Sequence, residues 1–252
     1  MKNAFDLTGQ RALITGGGTG LGLGMAKCLV ACGAEVVLVG RRENALQEAV
    51  EGIGERASYR VCDVTELERI PALVEGVETE IGPVDTLINN AGVHLKKDAS
   101  EISDTAFQNV MQTHVNAGFA LSREFGKRMM ERGTGNIIFT ASMASLFGIP
   151  LVAAYSAAKT AHLGLVRALA ADFSPRGVRI NAIAPGWIHS EMMHKALDAD
   201  PKRKEKILTR TPLGVFGDPE DIGWAAAYLA SPAAKFITGV CLPVDGGASV
   251  GF

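Results

Sequence analysis

The sequence predicts an α/β fold in which helices cover both faces of a parallel sheet of seven strands. Three observations point to it. Short apolar runs recur along the 252 residues, longer segments with helical spacing separate them, and several runs are apolar at consecutive positions. Strands buried on both faces have such continuous apolar runs, and their alternation with helices implies right-handed crossovers. The expected architecture is therefore a doubly wound, three-layer α/β/α sandwich.

The elements follow one another without a break in composition. The predicted strands are Arg11–Thr15, Glu35–Val39, Ser58–Cys62, Val84–Asn89, Asn136–Thr140, Val178–Ile183 and Val240–Val244. The predicted helices are Leu21–Ala31, Ala45–Ile53, Leu67–Glu80, Phe107–Glu131, Tyr155–Phe173 and Pro219–Leu229. Because no linker or repeat divides the chain, residues 1–252 are predicted to form a single domain. The exception to the alternation is the segment 185–218, which we expect to form a substrate loop or lid with a helix of its own.

Composition excludes several classes of function. The chain is 47% apolar and 21% charged, and its formal net charge is −2, so it has no basic excess for binding nucleic acid. No apolar run approaches the roughly 20 residues of a membrane-spanning helix, and no secretory signal is recognised. We therefore expect a soluble, cytoplasmic protein with a small-molecule substrate. The 4 cysteines form no CxxC pair and the 5 histidines no HExxH motif, so we expect no metal site.

A glycine-rich turn follows the first predicted strand and leads directly into a helix. Within Thr15–Gly22, the glycines at 16, 20 and 22 would let the backbone turn sharply and approach a pyrophosphate. The positive end of the helix dipole would favour the phosphate charge at this position. No GK[ST] sequence follows, so the turn is not a P-loop. The turn predicts a dinucleotide site.

The end of the second strand indicates which dinucleotide is bound. Gly40 offers no carboxylate for the ribose hydroxyls of NAD, whereas Arg41 is the first side chain past the strand and no acid competes with it. A guanidinium suits a 2′-phosphate, so NADP(H) is favoured, with NAD(H) possible. The alternative is that Arg41 and Arg42 only solvate the strand end or cap the helix that begins at Glu43. Asp63, at the end of the third strand, is a candidate acceptor for the adenine amino group.

A phenol and an ammonium lie four residues apart at Tyr155 and Lys159. On a helix they project from one face, and a nearby cation lowers the pKa of a tyrosine toward working pH. Such pairs also occur by chance on surface helices. Ser142 at the end of the fifth strand, with Asn90 and Asn116 beyond earlier strands, favours the catalytic interpretation because strand ends of a doubly wound sheet meet at the ligand crevice.

These motifs resemble those of the short-chain dehydrogenase/reductase family, from about Leu7 to Gly247. The motifs that carry the resemblance are Thr15-Gly16 with Gly20 and Gly22, Asn89-Asn90-Ala91-Gly92, Asn116, Ser142, Tyr155 with Lys159, Pro185-Gly186 and Val244-Asp245-Gly246-Gly247. The resemblance implies a Rossmann-type fold, a homotetramer and hydride transfer to or from a nicotinamide. It implies that Tyr155 exchanges a proton with the substrate oxygen, to which Ser142 hydrogen-bonds. Lys159 would hold the nicotinamide ribose and depress the pKa of Tyr155, and Asn116 would anchor a water in a proton relay.

The resemblance also implies a set of cofactor-binding residues. The predicted set is Gly16, Gly18, Thr19, Gly20, Leu21, Gly22, Arg41, Arg42, Asp63, Val64, Asn90, Ala91, Gly92, Tyr155, Lys159, Pro185, Gly186, Ile188 and Ser190. Ser190 stands where many relatives have a threonine that holds the nicotinamide carboxamide, and it keeps the hydroxyl. Val215 replaces a common family arginine, which puts in doubt any contact that this arginine makes.

Several stretches look more like the sugar-acid branch of the family, such as gluconate 5-dehydrogenases and 2-dehydro-3-deoxygluconate 5-dehydrogenases, than like acyl-thioester reductases. They are Ala141–Ser145, the segment from Asp200 to Pro212, and the loop that carries His94, Lys96 and Lys97. A carboxylate substrate favours a cation near its pocket. The candidate substrate residues are His94, Lys96, Lys97, Ser142, Met143, Trp187 and His189.

Two alternatives to a sugar-acid or polyol dehydrogenase stay open at this point. One is a 3-oxoacyl-[acyl-carrier-protein] reductase, which would favour a basic docking patch for its acidic carrier. The other is a non-catalytic nucleotide-binding sensor or scaffold on the same fold. The complete set of Ser142, Tyr155 and Lys159 argues against the second, since a scaffold has no chemical need for all three.

Overall fold

The computed structural model describes residues 3–190, 193 and 200–251 and contains a seven-stranded sheet. The strands are β1 (Arg11–Thr15), β2 (Glu35–Gly40), β3 (Ala57–Val61), β4 (Thr86–Asn89), β5 (Gly135–Thr140), β6 (Val178–Pro185) and β7 (Cys241–Val244). All neighbours pair in parallel, in the order β3-β2-β1-β4-β5-β6-β7. The predicted doubly wound parallel fold is confirmed, and the order reverses between β1 and β4.

The helices lie between the strands as the apolar spacing predicted. They are α1 (Gly20–Ala31), α2 (Glu43–Ile53), α3 (Ile70–Glu80), α4 (Asp104–Met111), α5 (Ala117–Arg132), α6 (Ala153–Phe173), α7 (Pro201–Arg210) and α8 (Pro219–Ala230). Within the described part of the chain, no helix has both the length and the apolar character needed to cross a membrane.

Alternate residues of the central strands point to opposite faces of the sheet. Leu13 and Leu87 are paired in register and belong to the core on the face of α3, α5 and α6. Their neighbours Ile14 and Ile88 are also paired and belong to the core beneath α1, α2 and α8. All four are fully buried. Continuous apolar runs were expected because each strand must supply two cores at once.

Helix α8 packs against α1 through glycines that leave no room for a side chain. A Cβ atom at Gly24 would lie 2.6 Å from Cβ of Pro219, and one at Gly223 would lie 2.5 Å from Sγ of Cys28. The two helices therefore approach at backbone distance. Because α1 begins at the glycine-rich turn, this packing fixes the position of its amino terminus.

Two predicted helices differ in detail from the structure. The predicted helix 107–131 consists of α4 and α5, joined by a π-helical turn at Gln112–Asn116. The predicted helix 67–80 begins with a 3₁₀ turn, and only Ile70–Glu80 is α-helical. In the segment 185–218, α7 is the helix that the length of the insertion predicted. The lid role stays a prediction, and residues 191–192 and 194–199 of the segment lie outside the described residues.

Candidate active site

The turn after β1 has the close backbone packing that its glycines predicted. Gly16 and Gly20 have positive φ angles of 64° and 54°, a conformation that L side chains rarely adopt. A Cβ atom at Gly22 would lie 2.2 Å from the carbonyl oxygen of Gly16. The helix α1 can therefore begin directly beneath the turn only because position 22 has no side chain.

Asn90 ties the end of β4 to this turn. Its side-chain Nδ2 donates to the carbonyl oxygen of Thr15 at 3.0 Å. In return, Oγ1 of Thr15 accepts from the backbone N–H groups of Asn90 and Ala91, both at 3.0 Å. The two strands are neighbours at the point where the strand order reverses, which is where doubly wound sheets bind their ligands.

A cleft of about 520 Å³ opens at this edge of the sheet. Most of the predicted cofactor residues line it: Gly16, Gly18, Thr19, Leu21, Arg41, Arg42, Asp63, Val64, Asn90, Ala91 and Gly92. A Cβ atom at Gly18 would lie 3.1 Å from the carbonyl oxygen of Ala45, so the wall of the cleft is backbone there. Backbone N–H groups at a helix amino terminus suit a pyrophosphate, and the residues present therefore fit a dinucleotide.

The expectation that no acid competes for Arg41 is wrong. Asp63 follows β3, the neighbour of β2, and its Oδ2 lies 3.6 Å from Nη1 of Arg41. Burial raises the pKa of Asp63, but hydrogen bonds from Thr65 and the charge of Arg41 outweigh it, so the net shift is downward. The Arg41 side chain is 67% exposed, and ion pairs at such positions contribute at most about 1 kcal/mol. Arg41 can therefore exchange Asp63 for a stronger anionic partner.

Ser142, Tyr155 and Lys159 meet at the carboxyl end of β5. Ser142 follows β5, accepts from the backbone N–H of Ala144 at 3.1 Å and hydrogen-bonds the Tyr155 hydroxyl. Lys159 is 3% exposed, lies 5.6 Å from the centre of the Tyr155 ring and donates from Nζ to the carbonyl oxygen of Thr140. The structure thus brings together the three groups that the sequence singled out.

The electrostatics of this cluster differ from the expectation. Burial raises the pKa of Tyr155, and the hydrogen bond from Ser142 only partly opposes this. The predicted depression of the Tyr155 pKa by Lys159 is not seen. Burial also lowers the pKa of Lys159 itself, to about 7. A lysine with this pKa gains and loses a proton near neutral pH. Its pKa therefore lies in the range that suits a group for general acid/base proton exchange.

Two buried histidines beside the cluster were not predicted. His114 meets the Tyr155 ring at a centroid distance of 5.6 Å and an interplanar angle of 86°, and His162 donates from Nε2 to the carbonyl oxygen of His114 at 3.0 Å. Burial lowers the pKa of each imidazole to about 3, and the charge of Lys159 adds to the effect. The sequence contains one indication of them, because His162 lies three residues after Lys159 and so on the same helix face.

Asn116 ends the π-helical turn, and its side chain is exposed. Its Nδ2 donates to Oε1 of Gln112 at 2.7 Å, and Nε2 of Gln112 donates to the carbonyl oxygen of Thr65 at 2.9 Å. The amide of Asn116 is therefore held by a residue of its own turn. Its role in a proton relay stays a prediction.

The candidate substrate residues lie at different places. The His94 ring contacts that of Tyr155 at a centroid distance of 5.0 Å, and Met143 is buried just after Ser142. Lys96 and Lys97 are exposed on the loop that follows His94. Their contacts with a substrate stay predictions.

The cofactor and substrate candidates that follow β6 in the chain have contacts of their own. The N–H of Gly186 donates to the carbonyl oxygen of Val244 at 3.0 Å, which fixes the strand end at Pro185. Trp187 and Ile188 line a separate cleft of about 230 Å³. His189 meets Phe216 edge-on at 5.5 Å, and Ser190 caps the backbone N–H of Met193. None of these contacts tests the predicted roles.

Comparison with known proteins decides the family. The family model described as "Enoyl-(Acyl carrier protein) reductase" matches residues 16–249. The chain belongs to the short-chain dehydrogenase/reductase family. It is therefore an NAD(P)-dependent oxidoreductase, as the sequence predicted.

Relatives within the family match over the whole chain. It is 40% identical to a galactitol 2-dehydrogenase (L-tagatose-forming) of Cereibacter sphaeroides, covering 99% of this chain and 98% of the relative. It is 39% identical to a gluconate 5-dehydrogenase of Gluconobacter oxydans (strain 621H), covering 98% and 97%. Among solved structures, it resembles a gluconate 5-dehydrogenase of Burkholderia cenocepacia J2315 in complex with NADP and tartrate. The TM-score is 0.93 at 32% identity, covering 99% of this chain and 98% of that one.

Replacing Tyr155 with Phe should abolish most turnover, since the ring still packs but the hydroxyl that hydrogen-bonds Ser142 is lost. General acid/base catalysis contributes roughly 10²–10⁴-fold, so we expect kcat to fall by at least about 100-fold. The Kd for NADPH, measured by fluorescence titration, should stay within a few-fold of that of the unchanged protein. A variant that keeps more than about a tenth of the original kcat would remove Tyr155 from the mechanism.

The free energy of unfolding should depend on pH through Lys159. Its pKa is about 7 in the folded protein against 10.5 ordinarily, so the unfolded chain binds more protons between these values and stability rises with pH. The slope contributed by one group is at most about 1.4 kcal/mol per pH unit. Urea denaturation of the protein and of Lys159→Met at about pH 7, 8 and 9 measures it by difference. A difference that stays constant or falls with pH would show that the buried lysine remains protonated.

Proposed function

We propose that the protein is an NADP(H)-dependent dehydrogenase that interconverts a secondary alcohol and a ketone in a sugar acid or polyol. The observation that carries the proposal is the convergence of Ser142, Tyr155 and Lys159 at the same sheet edge as the glycine-rich cleft. The names of the gluconate and galactitol dehydrogenases to which the chain is similar support the substrate class.

Each residue of the cluster has a separate role in the chemistry at the substrate oxygen. Bound NADP(H) supplies or accepts the hydride at the carbon. Tyr155 holds the proton that moves to or from the oxygen, and Ser142 hydrogen-bonds the same atom while the N–H of Ala144 fixes its hydroxyl. Lys159, whose pKa is about 7, would exchange protons near neutral pH and would hold the nicotinamide ribose. Asn116, whose amide donates to Gln112, would anchor a water through which that proton reaches solvent.

Two guanidinium groups at the end of β2 support NADP(H) over NAD(H). Arg41 and Arg42 both line the cleft, and Nη2 of Arg42 donates to Oγ1 of Thr19 at 3.3 Å. A 2′-phosphate between them would form charge-assisted hydrogen bonds stronger than the exposed Arg41–Asp63 pair. Asp63 would then be released toward the adenine amino group.

Cations near the loop that follows Ser142 favour an acidic substrate. The backbone N–H of Lys97 donates to the carbonyl oxygen of Leu151 at 2.8 Å, which joins the Lys96–Lys97 loop to this one. From α7, the guanidinium carbon of Arg210 lies 4.2 Å from the centre of the Phe147 ring. A substrate carboxylate bound beside this loop would be attracted by the cations of both segments that contact it. This arrangement also supports a lid role for the segment 185–218.

The substrate class is tested by an activity panel. We expect oxidation of D-gluconate or galactitol with NADP⁺, and reduction of the matching ketones with NADPH, at rates well above those with acetoacetyl-coenzyme A. Preference for the thioester would replace the proposal with an acyl-thioester reductase. Inactivity toward every secondary alcohol and ketone offered would favour a nucleotide-binding sensor. Size-exclusion chromatography with light scattering tests the homotetramer that the family resemblance implies.

Removing the positive charge of Arg41 should change cofactor preference. Arg41→Gln is chosen because an aspartate would add repulsion from Asp63, which lies 3.6 Å from the guanidinium. Losing a charge-assisted hydrogen bond costs about 1.5–3 kcal/mol, so the KM for NADPH should rise about tenfold or more. The KM for NADH should change little. Arg176→Gln, at the opposite edge of the sheet, is the matched control. An unchanged protein that already prefers NADH would contradict the assignment.

A further inference from the structure

A second cleft, the amino-edge cleft, opens at the edge of the sheet opposite the cofactor cleft and has a volume of about 760 Å³. Asp85, directly before β4, and Asn136, in β5, line it together with residues 230–232 at the end of α8. At about 3.3 Å per strand residue, Asn136 lies roughly 13 Å from Thr140, the residue that Lys159 contacts. The amino-edge cleft is therefore separate from the catalytic cluster.

Asn136 brings an unpaired amide to this cleft. The residue is 3% exposed, and neither Nδ2 nor Oδ1 has a hydrogen-bond partner among the described residues. A buried amide without partners costs free energy, because it gave up its hydrogen bonds with water on folding. Two donor hydrogens and one acceptor are thus available to a bound molecule.

Arg179 places a guanidinium beside this amide. Asn136 and Arg179 are paired in register on β5 and β6, and neighbouring strands lie about 4.8 Å apart. Side chains alternate along a strand, and both residues share the alternation of Ile138 and Ile183, which pack beneath α1, α2 and α8. One small molecule on this face can therefore reach both groups.

The guanidinium of Arg179 has only weak partners in the protein. Nη1 lies 3.4 Å from the carbonyl oxygen of Ile237, and Nη2 lies 3.4 Å from that of Ala230. Both distances exceed the range of about 2.7–3.2 Å that is usual for such bonds. Burial lowers the pKa of Arg179, and no carboxylate of the described residues opposes this shift. A half-buried cation with two long bonds to neutral groups favours an anionic partner.

A second cation and a carboxylate complete the polar lining of the cleft. Lys235 is exposed at its rim. Oδ2 of Asp85 accepts from the backbone N–H of Arg11 at 2.8 Å, and the N–H of Asn136 donates to the carbonyl oxygen of Asp85 at 2.8 Å. Asp85 is therefore held next to Asn136. An ionised carboxylate only accepts hydrogen bonds, so it requires a donor such as a hydroxyl on the ligand.

We propose that the amino-edge cleft binds a small hydroxy acid, whose carboxylate is held by Arg179 and Lys235 and whose hydroxyl lies between Asn136 and Asp85. This site goes beyond the proposed function, which uses only the opposite edge of the sheet. It is independent of which alcohol or ketone the enzyme takes as its substrate.

Citrate and tricarballylate are the two probes. Citrate has three carboxylates and a tertiary hydroxyl, which a dehydrogenase of secondary alcohols cannot oxidise. Tricarballylate has the same three carboxylates and no hydroxyl, so the pair isolates the hydroxyl group. Isothermal titration calorimetry in excess NADPH measures each Kd while the cofactor cleft is filled. Hydrogen–deuterium exchange of the peptide that covers residues 231–240 locates the bound molecule.

Three variants separate the site from a general effect of charge. Asn136→Val removes the amide and keeps a side chain that suits a strand. Lys235→Gln removes one exposed charge from the rim of the cleft. Lys127→Gln is the matched control, because it removes an equally exposed charge from α5, which covers the other face of the sheet.

We expect citrate to bind at one site per chain with a Kd at least about tenfold below that of tricarballylate, the effect of a hydrogen bond to a charged group. Asn136→Val should raise the Kd for citrate by about tenfold. Lys235→Gln should raise it by about threefold, since exposed charge pairs contribute less, and Lys127→Gln should leave it within about twofold. Citrate should slow exchange at residues 231–240.

Several results would overturn the inference. Citrate and tricarballylate could bind equally, Asn136→Val could keep the original Kd for citrate, or exchange could slow only around Ser142 and Tyr155. If Asn136→Val does not fold, the lysine variants decide, since equal losses in Lys235→Gln and Lys127→Gln would show a general effect of charge. Absence of citrate binding in a protein that turns over its substrate would reject the second site and leave the proposed function intact.

Discussion

The burial of one ammonium group, that of Lys159, constrains most of the active site. Moving a charge of this kind out of water costs several kcal/mol, and the compensating contact in the structure is a neutral carbonyl, that of Thr140. The low pKa of Lys159 follows from that imbalance. Both histidines nearby are kept neutral by burial and by this charge, so they serve only as hydrogen-bonding groups. Lysine, tyrosine and serine are thus placed by packing of α6 on the end of β5, and no carboxylate among the described residues forms an ion pair with the cation.

The position of this charge follows from the topology. The strand order reverses between β1 and β4, so the connections leaving these strands run to opposite faces and leave a crevice at their carboxyl ends. The hydrogen bonds between Asn90 and Thr15 close the base of that crevice. The glycines of the first turn leave room for a pyrophosphate on one side, while β5 and the helix α6 bring Ser142 and Lys159 to the other. The residues proposed to bind the cofactor and those proposed to move the proton therefore lie at the same edge of the sheet.

Sequence patterns predicted this arrangement where a single element carries the information. Every strand was found within a few residues, because burial on both faces produces continuous apolar runs such as the one at Ile137 and Ile138. The turn at Gly16 and the pairing of Tyr155 with Lys159 could also be predicted, because the spacing of residues along one segment fixes their geometry. The ion pair between Asp63 and Arg41 was missed, although it could have been derived. With β3 beside β2 in the sheet, Gly40 pairs with Val61, and the residues that follow both strands must be neighbours.

The contacts of His114 could not be derived in this way, because they depend on a local departure from regular structure. The apolar spacing of residues 107–131 is that of one helix, and the π-helical turn at Gln112–Asn116 breaks the register that such spacing assumes. The turn also frees the carbonyl of His114 to accept from His162, a residue 48 positions away along the chain. Its Nε2 lies 2.8 Å from the carbonyl oxygen of Val93, and the ring fits there because position 92 has no side chain. Three features from separate segments must coincide, and none of them has a periodic signal. A histidine of this kind therefore becomes visible only when the loop, the turn and the helix are seen packed together.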